Sequence, residues 1–169
     1  GQYTIIEVDQ PAPYTDGLDT AGTIRGGVIG QAINPGDRIE GVNLLGGDSG
    51  IEYNFGELPL GSISGFVYLP PPGEDCAGHF DGDAIPLADV VVRLYNLNGS
   101  LVAETRTAAN GSYRFDNIPK GTYRVEEITP AGLLDGTAHV GLIDNVKVGQ
   151  VLGDGSLAGV RLPAGKHGE

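Results

Sequence analysis

The opening fifty residues and the closing forty-nine are two copies of one segment, so whatever the chain folds into must contain the same substructure twice. Gly1-Gln2-Tyr3-Thr4-Ile5-Ile6-Glu7 aligns with Gly121-Thr122-Tyr123-Arg124-Val125-Glu126-Glu127. Pro11 then matches Pro130, Asp16-Gly17 matches Asp135-Gly136, Gly22 matches Gly141, Gly30-Gln31 matches Gly149-Gln150, and Gly41-Val42 matches Gly159-Val160. The offset drifts only from 120 to 118 over the whole length. After Leu44 the first copy runs on through Ile51-Glu52-Tyr53-Asn54-Phe55-Gly56-Glu57, which reads as an alternating strand, whereas the second copy ends at Glu169, where that strand is due.

With 29 Gly and 11 Pro among 169 residues, and neither Met nor Trp, a helical bundle is excluded as a serious reading. Yet 40% of the residues are hydrophobic, and Val, Ile, Leu and Tyr recur in short alternating runs, which is the signature of strands joined by Gly-rich turns. Between the two copies the sequence predicts strands over 61–68, 89–95, 101–107 and 112–115, leading into the repeated strand over 122–128. Asn98-Gly99 and Asn110-Gly111 fall between these strands and read as hairpin turns, because both residue types tolerate positive φ. In the repeated strand, Tyr123 and Val125 share one face while Arg124 and Glu126 share the other, as a two-residue period requires. The expected organisation is therefore the C-terminal half of a β module over residues 1–57, then a nearly complete module over 58–169 that lacks its last strand. The fold class is all-β, an immunoglobulin-like or prealbumin-like sandwich.

Three motifs carry a resemblance: Gly61-Ser-Ile-Ser-Gly-Phe-Val-Tyr68, Ile85-Pro-Leu-Ala-Asp-Val-Val-Val-Arg-Leu94, and the run from Thr107-Ala-Ala-Asn-Gly-Ser-Tyr-Arg-Phe115 through Ile118-Pro-Lys-Gly-Thr-Tyr-Arg-Val-Glu-Glu-Ile-Thr-Pro-Ala-Gly132. In this order they resemble the Cna B-type and SdrD B-like repeats of bacterial surface proteins. The resemblance implies β-sandwiches strung in tandem in secreted stalks, adhesins and fibres, stiffened in many cases by calcium loops or by an internal Lys–Asn isopeptide bond. It places the chain outside the cell, at the cell surface, without an enzymatic role.

The isopeptide needs a Lys near the start of the first strand, an Asn or Asp on the last, and a buried acid between them. Lys occurs only at 120, 147 and 166, so the bond is not expected, and Glu7 and Glu127, at the family's acidic Tyr-x-x-x-Glu position, are read as structural carboxylates. The segment 74–83 lies where the family often carries a calcium loop. Glu74, Asp75, Asp81 and Asp83 are its candidate ligands, with a solvated acidic loop as the competing reading. Cys76 and His79 in the same segment are too few soft ligands for a closed zinc site. Asp16, Asp19 and Asp135 lie on the Asp-Gly loops that follow the repeated strand; turn formation is the simpler role for them and a second cation site the alternative. His139 and His167 stand without a recognisable nucleophile frame, so no catalytic site is assigned.

A formal charge of −12 makes phosphate backbones and anionic lipid poor partners, and no stretch is long and apolar enough to span a membrane. Nothing at the N-terminus reads as a signal peptide, and the sequence has the character of a piece of something longer. Cys76 has no intrachain partner, which leaves an intermolecular bridge or a free thiol. The expected partners are neighbouring copies of the same protein: a strand such as 51–57 from one chain completes the sandwich of the next by β-augmentation, head to tail, with the packing of 1–57 against 58–169 within one chain as the competing reading. A surface module that binds carbohydrate or protein, and an accessory β domain of a larger secreted enzyme, are the competing functions. With no Trp and few aromatics, the carbohydrate reading has little to stand on.

Overall fold

Runs of β-branched and aromatic residues two apart, cut by glycine and Asx turns, give a chain that is strand and turn throughout. The computed structural model describes residues 1–71, 83–153 and 155–169. Two compact units form, Gly1–Pro59 and Leu60–Glu169.

The first unit holds β1 (Gln2–Ile6), β2 (Tyr14–Asp16), β3 (Thr23–Ile24), β4 (Gly27–Val28), β5 (Gln31–Ile33), β6 (Arg38–Asn43), β7 (Gly50–Ile51) and β8 (Glu57–Pro59). They form the sheets β1-β6-β5, β4-β3-β7 and β2-β8 around a small core of Ile24, Ile39 and Val42. The second unit holds β9 (Gly61–Phe66), β10 (Tyr68–Leu69), β11 (Ile85–Pro86), β12 (Val91–Asn96), β13 (Leu101–Arg106), β14 (Ser112–Ile118), β15 (Gly121–Glu127), β16 (Leu142–Ile143), β17 (Val146–Lys147), β18 (Gln150–Gly153), β19 (Ser156–Leu162) and β20 (His167–Gly168). Here a five-stranded sheet, β13-β12-β15-β19-β18, faces a three-stranded sheet, β14-β9-β20. Val92, Leu94, Tyr123, Val125, Val160 and Leu162 from the first meet Ile63, Phe115 and Ile118 from the second in one core, the arrangement of a β-sandwich.

The two copies adopt the same backbone. β1 pairs antiparallel with β6 through Tyr3↔Val42 and Ile5↔Ile39, with a bulge between them; β15 pairs with β19 through Tyr123↔Val160 and Val125↔Leu157, with a bulge at the same place. The glycines on the bulged strands, Gly41 and Gly159, have φ of 69° and 65°, a region where a side chain would be strained. The tight hairpin β3–β4 turns on Arg25 and Gly26, and its counterpart β16–β17 on Asp144 and Asn145, all four at positive φ as a two-residue hairpin of this hand requires.

Two expectations are corrected. Residues 51–57 are not one continuous strand. Glu52 sits at φ 62°, so the segment breaks into β7, an isolated bridge from Asn54 to Thr20, and β8, although Tyr53 and Phe55 still alternate inward onto the core. Asn98-Gly99 does turn the β12–β13 hairpin, but Asn110-Gly111 does not join paired strands, because β13 and β14 belong to opposite sheets. There the Asn110 side chain accepts from the Ser112 amide at 3.1 Å and caps a turn that carries the chain across the sandwich.

Candidate functional site

Strand register in the first unit gathers carboxylates at one end of its sheets. Asp16 lies opposite Glu57 in the β2–β8 pair, and the Glu7 amide donates to the Asp37 carbonyl at 3.0 Å just beyond the β1–β6 pair. Asp16, Asp19 and Asp37 each bring a carboxylate oxygen within 4.8 Å of the others. Asp19 is 3% exposed, and its loop is clamped by Asn34, which accepts from the Asp19 amide at 2.7 Å and donates to the Asp19 carbonyl at 3.0 Å. One oxygen of Asp16 accepts from the Gly36 amide at 2.7 Å, and one of Asp19 from the Gly56 amide at 3.2 Å. Glu7 Oε2, Asp16 Oδ1, Asp19 Oδ2 and Asp37 Oδ1 are buried with no hydrogen-bond partner. Glu7 is held above the usual carboxylate range by burial and then by the charges of Glu57, Asp37 and Asp19; Asp37 is raised by burial and then by Asp16, Asp19 and Glu57.

In the second unit the equivalent region differs. Glu127, the counterpart of Glu7, is raised by burial and by Asp135, the counterpart of Asp16, and Thr129 Oγ1 donates to Asp135. Ala138 stands where the first copy has Asp19. The two units also differ in what lies beside this loop. In the first, residues 50–59 run antiparallel to 14–24, through Ile24↔Gly50, Thr20↔Asn54 and Tyr14↔Pro59. In the second, Glu169 exchanges backbone hydrogen bonds with Leu142 at 2.6 and 3.1 Å, and Gly168 packs on Ile143. Beside it opens a groove of about 810 Å³ whose lining includes Phe66, Tyr113, Glu127, Leu133, His139 and Leu142. Tyr113 is pushed up to about 12, first by burial and then by Glu127.

Of the residues singled out from sequence, Asp83 is exposed, while Glu74, Asp75, Cys76, His79 and Asp81 lie outside the described residues. Asp16 and Asp19 come together as the loop spacing allowed, and their counterpart Asp135 lies in the second unit, beside Thr129 and Glu127. Sequence reasoning missed Asp37 and Glu57 as members of the cluster, and it read Glu7 as structural. The available signal was register: each flanks a strand whose partner ends at another acid. His167 is not alone, since its Nδ1 lies 2.7 Å from Ser62 Oγ. That Ser is 1% exposed and also accepts from Arg114 Nη2 at 2.8 Å, so the trio fastens β20 and β14 to β9. Lys166 pairs with Asp144 at 2.9 Å.

A duplicated sandwich half, paired in the same register in both copies, defines the chain as a β-sandwich repeat module. It belongs to the SdrD B-like domain family, whose signature matches residues 61–150. Among curated relatives, it is 34% identical over 141 residues to serine-aspartate repeat-containing protein E of Staphylococcus aureus (strain USA300), which covers 79% of this chain and 11% of that protein. It is 30% identical over 133 residues to the bone sialoprotein-binding protein of Staphylococcus aureus, with the same two coverages. It is 32% identical over 77 residues to colossin-A of Dictyostelium discoideum, covering 46% of this chain and 1% of that protein. The chain thus spans about a tenth of the length of its staphylococcal relatives.

Proposed function

We propose that the chain is a structural, non-catalytic module of a bacterial cell-surface protein, working outside the cell as a spacer in a stalk, adhesin or filament. The observation that carries this reading is the duplicated half-module itself. A unit repeated in register along one chain supplies length and stiffness, and each repeat contributes its own core. The staphylococcal relatives, of which this chain matches only a tenth, fit a module used in series. Pulling single molecules of the full chain from its two ends tests the mechanical role. Units of 59 and 110 residues should unfold as two discrete events, releasing about 200 and about 380 Å of contour length. Smooth extension at low force would overturn it.

The same proposal extends to how copies meet. The groove of the second unit is lined by residues 133–142, and the counterpart loop of the first unit pairs with residues 50–59, which supports a reading in which a strand of that sequence from a neighbouring copy adds there by β-augmentation, head to tail. Because residues 50–59 are already paired within their own unit, exchange requires them to leave it, which makes association slow and dependent on concentration. Sedimentation velocity over a hundredfold range of concentration should show chain growth that a synthetic 50–59 peptide caps. A monomer at every concentration with no peptide binding would contradict it. Calcium on the loop of Glu74, Asp75, Asp81 and Asp83 stays within this proposal as a stiffening element, with a chelator-sensitive melting midpoint for the second unit as its test.

A further inference from the structure

Of the chain's asparagines, only Asn98 and Asn110 precede glycine. An asparagine loses its side-chain nitrogen when the backbone nitrogen of the next residue attacks its Cγ. The new C–N bond closes a five-membered succinimide, ammonia leaves, and water opens the ring at either carbonyl to give aspartate or isoaspartate. Water is the only co-reactant. Glycine as the attacking residue removes the Cβ that otherwise crowds ring closure.

The two Asn-Gly pairs share a backbone turn and differ in what surrounds it. Gly99 and Gly111 sit at φ 78° and 77°, and their amides donate to the Asn96 and Ala108 carbonyls at 3.0 and 2.8 Å. The attacking nitrogen is thus presented alike in both, so the difference lies in the group it must reach. Asn110 Oδ1 accepts from the Ser112 amide at 3.1 Å and from Ser112 Oγ at 2.7 Å, which pins the side-chain amide. Gly111 is buried, its carbonyl accepts from the Val67 amide at 2.9 Å, and a Cβ on it would stand 2.6 Å from the Val67 carbonyl oxygen. Ring closure at Asn110 must therefore break these bonds and move packed backbone. Asn98 is exposed, and among the described residues nothing holds its side-chain amide; a Cβ on Gly99 would meet nothing within 4 Å.

We propose that Asn98 is a self-modification site of the second unit, converting to aspartate and isoaspartate through a succinimide with Gly99, and that the fold protects Asn110. The product reaches the hairpin. Asn96 Oδ1 accepts from the Asn98 and Ser100 amides at 3.0 Å each, and the Asn96 amide donates to the Ser100 carbonyl at 3.0 Å. Isoaspartate routes the backbone through the former side chain and adds a methylene to this turn, so the hydrogen bonds that close β12 onto β13 lose their register. The aspartate product keeps the turn and adds a negative charge.

Incubating the full chain at mildly alkaline pH, with peptide mapping that separates aspartate from isoaspartate, tests this. Asn98 should convert at least tenfold faster than Asn110 in the folded chain, and the two rates should come together when the chain is unfolded in urea. In the isoaspartate form the Asn96 and Ser100 amide resonances should move, with those of Ser112 and Val67 unchanged. Equal rates in the folded chain, faster loss at Asn110, or an Asn98 that survives while the unfolded chain converts would overturn the site.

Discussion

Residues 1–44 and 121–162 trace one backbone, yet they bury different side chains. Tyr123 is 6% exposed and donates to the Pro119 carbonyl at 2.7 Å, whereas Tyr3, its counterpart, is 53% exposed. The cause lies in the neighbours. β15 is held between β12 and β19, and its inner face meets the three-stranded sheet, while β1 pairs only with β6 and residues 1–59 contain no counterpart of β12. Positions that depend only on the duplicated half are buried alike in both: Ile24 and Ile143, Val42 and Val160. The lesson is that a repeated sequence fixes register and turns, but burial is decided by what the rest of the unit brings up against it.

The sharpest way to break this comparison is in the cores. Ile39 is fully buried in the first unit, but Leu157, at the same register position, is only half-buried. Ile39→Ala should cost about 2–5 kcal/mol and remove most of the first unit's stability, while Leu157→Ala should cost clearly less of the second's. Denaturant titrations with probes in each unit measure both; equal losses would mean that the two cores are not organised differently. A smaller, matched effect is expected where the backbones agree. Gly30 and Gly149 sit at φ 106° and 102°, each with a carbonyl 3.0 Å from where a Cβ would stand. Alanine at either should destabilise its own unit by about 1–2 kcal/mol, and by similar amounts. Smaller again, Tyr123→Phe should cost about 1 kcal/mol for the lost hydrogen bond to Pro119, and Tyr3→Phe nothing measurable.

The acids differ in the same sense. Because folding raises Glu7 and Asp37, the folded first unit holds their protons more tightly than the unfolded chain does. That contribution to stability is fully present below the unfolded values, near 3.8 for Asp and 4.5 for Glu, and is lost as pH rises through the folded ones. In chelator the first unit's melting midpoint should therefore fall as pH rises from 4 toward 7. A midpoint that climbs with pH in chelator would reverse the sign and show that these carboxylates are stabilised as anions.

Much of the fold is legible in the sequence because it is written in local terms. The alternation of Tyr123 and Val125 against Arg124 and Glu126, the Asn98-Gly99 hairpin and the duplicated glycines all act within a few residues. Asn110-Gly111 misleads because its turn chemistry is the same whether the chain returns along the same sheet or crosses to the other, a choice made by strands far away. The break at Glu52 hides for a related reason: Tyr53 and Phe55 keep the period of a strand while the backbone between the bridges does not. The carboxylate cluster was half visible. Asp16 and Asp19 announce themselves by spacing, but Asp37 and Glu57 reach them only through the pairing of β1 with β6 and β2 with β8.

The central claim is that both copies share one pairing register. Cross-strand Hα and amide contacts by NMR test it most directly. Tyr3 should contact Val42 and Ile5 contact Ile39, Tyr123 should contact Val160 and Val125 contact Leu157, with the bulge in the same place in each. A one-residue slip in either copy, which would carry Ile39 or Val160 to the opposite face, would contradict the account.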